Sequence, residues 1–216
     1  FGDKFSRAYD VTFTGRDNTL QYPFQTSWGS STRLIGAVIM THGDNHGLVL
    51  PPVIAPTQVV VIPIAQHKPG VLDAAAALKD RLTAAGLRVA MDDSEQSAGW
   101  KFAQYEMKGV PLRVEIGPKD MEKEQCCVAR RDTGEKTFVP LAGLEDAIKG
   151  LLQDVHDNLY NMAAKNLEEN TFDMTDWQEV KAMADGKGGL ARTKWCGSLE
   201  CELAMKEKAG VSSRCM

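Results

Sequence analysis

The sequence contains no apolar run near the roughly 20 residues that a membrane-spanning helix needs. Its opening residues lack the basic-then-apolar pattern of a secretory signal. Cysteine is sparse, five in 216 residues, and two of the five are adjacent at Cys126 and Cys127. That distribution argues against a secreted disulfide framework and for reduced thiols in a cytoplasmic protein. Positive charge is not in excess, since 25 Lys and Arg stand against 29 Asp and Glu. A nucleic-acid partner would therefore need a local basic patch hidden by the net charge of -4. Internal repeats are missing too. Phe1 stands where an initiator Met is expected, which points to a piece of a longer chain. What is present is ordinary for a globular protein: 43% hydrophobic and 25% charged residues exclude wholesale disorder.

The chain reads as three blocks. In the first, residues 1–55, Tyr9, Val11 and Phe13 alternate with polar residues, which predicts a half-buried strand. The turn Gly15-Arg16-Asp17-Asn18 and the period-two run Leu20, Tyr22, Phe24 predict an antiparallel partner. Leu34 to Met40 reads as a buried strand or a helix, and the small Gly36 and Ala37 favour a helix packed on a sheet. Thr41 to Gly47 is a loop; its glycines argue against a helical His42/His46 metal pair. The second block, 56–166, opens with Val59-Val60-Val61-Ile62, the pattern of a buried parallel strand. Helices are expected over 71–85, 101–107 and from 144 to about 166. Further strands are expected at 87–91 and 112–116, with a strand pair about Asp132-Thr133-Gly134. This alternation predicts an α/β domain with a mixed sheet. The third block, 167–216, reads as a helix, a short strand at Leu190 and a helix from Glu202.

Several residues carry chemistry. Arg33, after a Ser/Thr-rich turn, suits a phosphate or base clamp, or else is a plain surface arginine. Lys101, Lys108, Arg113, Lys119, Arg130 and Arg131, interleaved with Trp100, Phe102 and Tyr105, suit phosphates and unpaired bases; a solvated sheet face would look similar. Glu115 among them would repel phosphates unless it accepts a hydrogen bond from a base edge. Cys196 and Cys201 are spaced to share one tetrahedral ion, but two thiolates do not close a zinc site. Cys215 is a third by count only.

Thr26-Ser27-Trp28-Gly29-Ser30-Ser31-Thr32-Arg33-Leu34-Ile35-Gly36, followed by His42-Gly43-Asp44-Asn45-His46-Gly47 and Leu48-Val49-Leu50-Pro51-Pro52, closely resembles the third signature motif of prolyl-tRNA synthetases. The variety is the archaeal and eukaryotic-like one. The likeness continues through Gly99-Trp100-Lys101-Phe102, Glu106 to Arg113, Gly117-Pro118-Lys119-Asp120, Arg130-Arg131-Asp132, Trp195-Cys196-Gly197 and Arg214-Cys215. The resemblance implies the C-terminal portion of a dimeric class II ligase, which activates proline with ATP and Mg²⁺ and transfers it to tRNA(Pro). Its parts would be the end of an antiparallel catalytic domain (1–55), an anticodon-binding domain (56–166) and a truncated zinc-type α+β domain (167–216). Arg33 and Ser31 match ATP contacts. Ser27, Trp28 and Gly29 match the strand that floors the proline and adenylate pocket. Lys108, Arg113, Glu115, Lys119 and Arg131 become candidates for reading the anticodon. Cys196 and Cys201 match the first zinc ligand pair, whereas Cys215 matches a strand position.

The family's first two motifs are absent, including the arginine that holds the ATP α-phosphate, and so is the second zinc ligand pair. A non-catalytic tRNA-binding module derived from a synthetase is the alternative reading. The chemistry rests on charge stabilisation more than on a general base. The 216-residue chain alone is therefore expected to show no proline-dependent ATP–pyrophosphate exchange. Robust exchange from the purified chain would contradict that expectation.

Overall fold

The computed structural model describes residues 1–214. Contacts divide it into two compact units, Phe1–Met40 and the chain from Thr41 onward.

In the first unit, α1 (Lys4–Ala8) precedes a two-residue ladder between β1 (Phe13–Thr14) and β2 (Leu20–Gln21). The predicted turn is present, with Asn18 at positive φ and the Gly15 N–H donating to the Thr19 carbonyl. The predicted burial is not: Tyr9, Val11 and Phe13 are all exposed. An isolated two-stranded pair has no core for an apolar face to point into. Ser27, Trp28 and Gly29, expected on a strand, lie outside any regular element. No strand pairs with them among the described residues, and Trp28 is 94% exposed. Next comes α2 (Arg33–His42), a helix as the small residues suggested, but with no buried residue. Ser31 caps its start, accepting from the Arg33 N–H at 3.4 Å.

The second unit is built on five strands: β3 (Val59–Pro63), β4 (Val89–Met91), β5 (Leu112–Ile116), β6 (Gln125–Arg130) and β7 (Lys136–Pro140). Their order is β4-β3-β5-β6-β7, parallel for the first three and antiparallel thereafter. The mixed sheet expected from the sequence is thus present. Central β3 is buried on both faces, as its unbroken β-branched run requires. α3 (Val71–Ala84) and α6 (Leu144–Glu169) bury Leu78, Leu82, Leu144, Ile148, Leu152 and Val155 with one face, against Val59, Val61, Val114 and Val128. The spacing of these helical residues is the 3.6-residue stripe. On the other face α4 (Ala98–Met107), capped by Ser97, packs Phe102 and Tyr105 over Val60 and Ile62. A five-residue helix, α5 (Pro118–Glu122), was not anticipated; Pro118 at its first position and Asp120 accepting from the Gly117 N–H start it.

Residues 41–55 pack onto this domain, with Val49 and Ala55 in its interior. Leu48 and Leu50 donate to the carbonyls of Met107 and Gly109, at 3.0 and 3.3 Å. Glycine is required on both sides of this seam. A Cβ on Gly47 (φ 134°) would lie 2.6 Å from Met107 backbone, and one on Gly109 (φ 70°) 2.6 Å from Leu48. Arg88 holds the far end, donating to the carbonyls of Pro52 (2.7 Å) and Ala55 (2.8 Å).

Beyond α6, β8 (Thr171–Asp173) runs parallel to β9 (Leu190–Arg192) with α7 (Trp177–Asp185) between them, and α8 (Leu199–Ala209) follows. The predicted strand at Leu190 is β9; its partner β8 was unforeseen.

Lys101, read from the sequence as a possible RNA contact, is 2% exposed. Its ammonium donates to the Asp92 carbonyl (2.9 Å) and the Gln66 side-chain oxygen (3.1 Å), with the Asp92 carboxylate 3.6 Å away. Removing one member of a buried ionic group strands the others. Lys101→Ala is expected to destabilise the chain by about 3 kcal/mol or more, read from the shift in a urea unfolding midpoint.

Candidate anticodon-reading face

The site lies where α4 stops covering the sheet. Strand register places Val60, Arg113, Ala129 and Lys136 in one row, and Ile62, Glu115, Cys127 and Phe138 in the next. Side chains alternate between faces along a strand, so both rows share the face opposite α3 and α6. At the β3 end the rows lie under α4. At the β7 end they open to solvent.

The charges there are tied together. Glu115 accepts from the Arg113 guanidinium with Oε1 at 3.0 Å and from the Lys136 ammonium with Oε2 at 3.4 Å, the same ammonium lying 3.2 Å from Oε1. Arg113 also stacks over the Phe102 ring at 4.0 Å, and Lys136 reaches the same ring at 5.2 Å. A negative carboxylate, two cations and an aromatic ring thus form one cluster on the sheet. Glu115 is buried and held by both partners, although a carboxylate has about four acceptor positions. Beside it opens a cavity of about 300 Å³, lined in part by Phe102, Tyr105, Arg113, Arg130, Arg131 and Lys136.

The other sequence candidates separate into distinct roles. Lys108 is exposed at the end of α4, its ammonium 5.2 Å over the Tyr105 ring. Lys119 is exposed on α5. Arg131 is committed elsewhere: its guanidinium donates to both Asp44 carboxylate oxygens, at 2.6 and 2.8 Å, and to the Glu106 carbonyl at 2.8 Å. Arg130 is likewise held by Asp132, which also accepts from Asn158. Ser31 and Arg33 are exposed at the start of α2. Lys136 and Phe138 were missed. Their signal was available, since the two alternate on the strand facing Glu115 through β6.

Burial pushes the Cys126 thiol up to about 12, and the Cys127 thiol is raised by the same cause. Cys126 packs in the core, while Cys127 belongs to the row of Glu115. Cys196 and Cys201 influence each other: the Cys196 thiol pKa is lowered, first by the backbone N–H of Ser198 and then by Cys201, while that of Cys201 is raised by Cys196. No third His, Cys, Asp or Glu joins them in a metal-holding group among the described residues. The residues in place therefore do not make up a tetrahedral zinc site. Cys215 lies outside the described residues.

Residues 58–151, from the threshold of β3 into α6, match the family described as "Anticodon binding domain". The mixed sheet with helices on its two faces is the architecture of that part of the chain. Across all 216 residues the chain is 51% identical to a proline–tRNA ligase 2 of Bacillus cereus, covering 45% of that protein. It is 51% identical, again over its full length and 45% of the relative, to the proline–tRNA ligases of Ruminiclostridium cellulolyticum and Clostridium novyi. The chain belongs to the prolyl-tRNA synthetase family. It spans about half the length of the curated relatives it matches.

Asp44 offers a test of the seam. Its carboxyl is held well below the usual carboxylate range, chiefly by the Arg131 hydrogen bonds and against some desolvation. A depressed folded-state pKa contributes stability that is present above the unfolded value near 4 and fades as pH falls through the folded one. Asp44→Asn is expected to be less stable than the parent chain at pH 7, with the gap closing as pH falls below about 4. Thermal melts of both proteins across that range check it; a gap that does not change with pH would remove the ion pair from the account.

Proposed function

We propose that the chain is part of a proline–tRNA ligase and that its open sheet face reads the anticodon of tRNA(Pro). The observation that carries this reading is the joined array of Arg113, Glu115 and Lys136 beside Phe102, on one face of the domain that matches anticodon-binding sequences. Cations on such a face attract the phosphate backbone, while a fixed carboxylate discriminates by accepting from a base edge. Guanine presents donors on its Watson–Crick edge, and RNA bases read in loops are splayed out with that edge available. Lys108 and Lys119, both exposed, serve the backbone. Arg131 acts one step removed, fixing the wall of the cavity through Asp44 and Glu106.

The remaining assignments rest on the resemblance. Arg33 and Ser31 contact ATP, with Ser27, Trp28 and Gly29 at the proline and adenylate pocket. Mg²⁺ accompanies the ATP phosphates, in keeping with a cation that prefers phosphate and water ligands to an all-protein cage. The parent enzyme works in the cytoplasm as a homodimer. The exposed apolar residues of the first unit, Trp28 and Phe24 among them, are the surface that a larger catalytic sheet would cover.

The anticodon assignment is tested with an RNA hairpin carrying the proline anticodon and a second one in which its guanines become adenines. Wild-type affinity should fall as salt rises, since Lys and Arg contacts release counterions. Glu115→Gln should erode the preference for guanine by about 1–3 kcal/mol. Equal wild-type affinity for the two hairpins would show that Glu115 does not read the anticodon.

A further inference from the structure

The open face has relief. Its middle strand β6 contributes small residues, Cys127 and Ala129, whereas the flanking strands contribute Arg113 and Glu115 on one side and Lys136 and Phe138 on the other. A trough results, its walls two strand spacings apart, about 10 Å. Phe138 forms part of the outer wall and is 61% exposed. Its neighbour in sequence, Val139, is buried on the opposite face, so the ring cannot turn inward without reversing the strand.

A lone exposed apolar residue is common on protein surfaces, and position decides whether it matters. Three rings lie on this face among the described residues; Tyr105 packs over Val60 and Ile62 with the Lys108 ammonium 5.2 Å above it. Phe102 is already covered, by Arg113 at 4.0 Å and Lys136 at 5.2 Å. Among the described residues, neither a second ring nor a cation stacks on Phe138. It stands in the same row as Glu115, with only the Cys127 side chain between them.

We infer that Phe138 is the stacking platform for one unpaired anticodon base, whose edge then faces the Glu115 carboxylate. The inference rests on the anticodon reading of this face and adds to it the part that holds the base. Every base has a flat apolar face, so an aromatic ring on a sheet supplies affinity without choosing a sequence. The carboxylate across the trough supplies the choice. The separation of the two walls suits one planar base and one hydrogen bond.

The experiment uses the full 216-residue chain and both hairpins, guanine and adenine. Phe138→Ala should weaken binding to the two hairpins alike, by about ten- to hundred-fold, and leave the ratio between them unchanged. Phe138→Tyr should retain binding. Phe138→Leu, apolar but not aromatic, should behave like the alanine variant. Because the ring is exposed, the melting temperatures of all three should match the parent chain. Wild-type affinity in the alanine or leucine variant, with guanine preference intact, overturns the stacking role alone. Equal wild-type affinity for the two hairpins, with Phe138→Ala weakening both, supports stacking and overturns the reading by Glu115. A wild-type chain that binds neither hairpin overturns both.

Discussion

The ion pair between Asp44 and Arg131 joins parts of the chain 87 positions apart, and much of the site's geometry depends on it. Asp44 receives the guanidinium with both oxygens while Oδ1 also accepts the backbone N–H groups of His46 and Gly47. The same loop then runs beside Met107 and Gly109, at a distance only glycine allows. A bidentate pair fixes orientation as well as distance. The end of α4 and the turn after β6 are thereby locked to the loop that follows α2. The histidines and aspartate of that loop resemble a metal site in sequence, but Asp44 is spent on an arginine.

Register shapes the face that this seam supports. Arg113 and Glu115 are two apart on one strand, Lys136 and Phe138 two apart on another, and antiparallel pairing through β6 brings them into line. A lone carboxylate there would repel any approaching phosphate. With a cation on each side Glu115 is neutralised at longer range, yet its oxygens stay available to a donor that comes close. Fixed polar groups lose little freedom when a ligand arrives, which favours discrimination over simple attraction.

Much of this was legible in the sequence because local periodicity reports faces. The run Val59–Ile62, the helical stripe of α6 and the hairpin at Asp132-Thr133-Gly134 each follow from neighbouring residues. Lys101 and Arg131 were not legible, since both look like surface cations and are consumed by partners in other elements, Gln66 and Asp92 for one and Asp44 for the other. Alternation over Tyr9–Phe13 was real but misleading, because a period states which residues share a side and not whether anything covers it. Phe138 shows the converse. Its parity was visible, but its nearness to Glu115 needed the pairing of three strands.

Helix α6 runs 26 residues, and its burial against the sheet ends at Leu159. The following ten residues, about 15 Å at 1.5 Å each, leave the domain as continuous helix before β8 begins. Such an overhang behaves as a strut. A flexible linker of the same length would let the β8–β9 unit sample a broad volume, whereas a helix fixes both its reach and its angle. Each residue added or removed in that stretch would also turn the distal unit by about 100° around the helix axis. The length of α6 therefore encodes a direction as well as a distance.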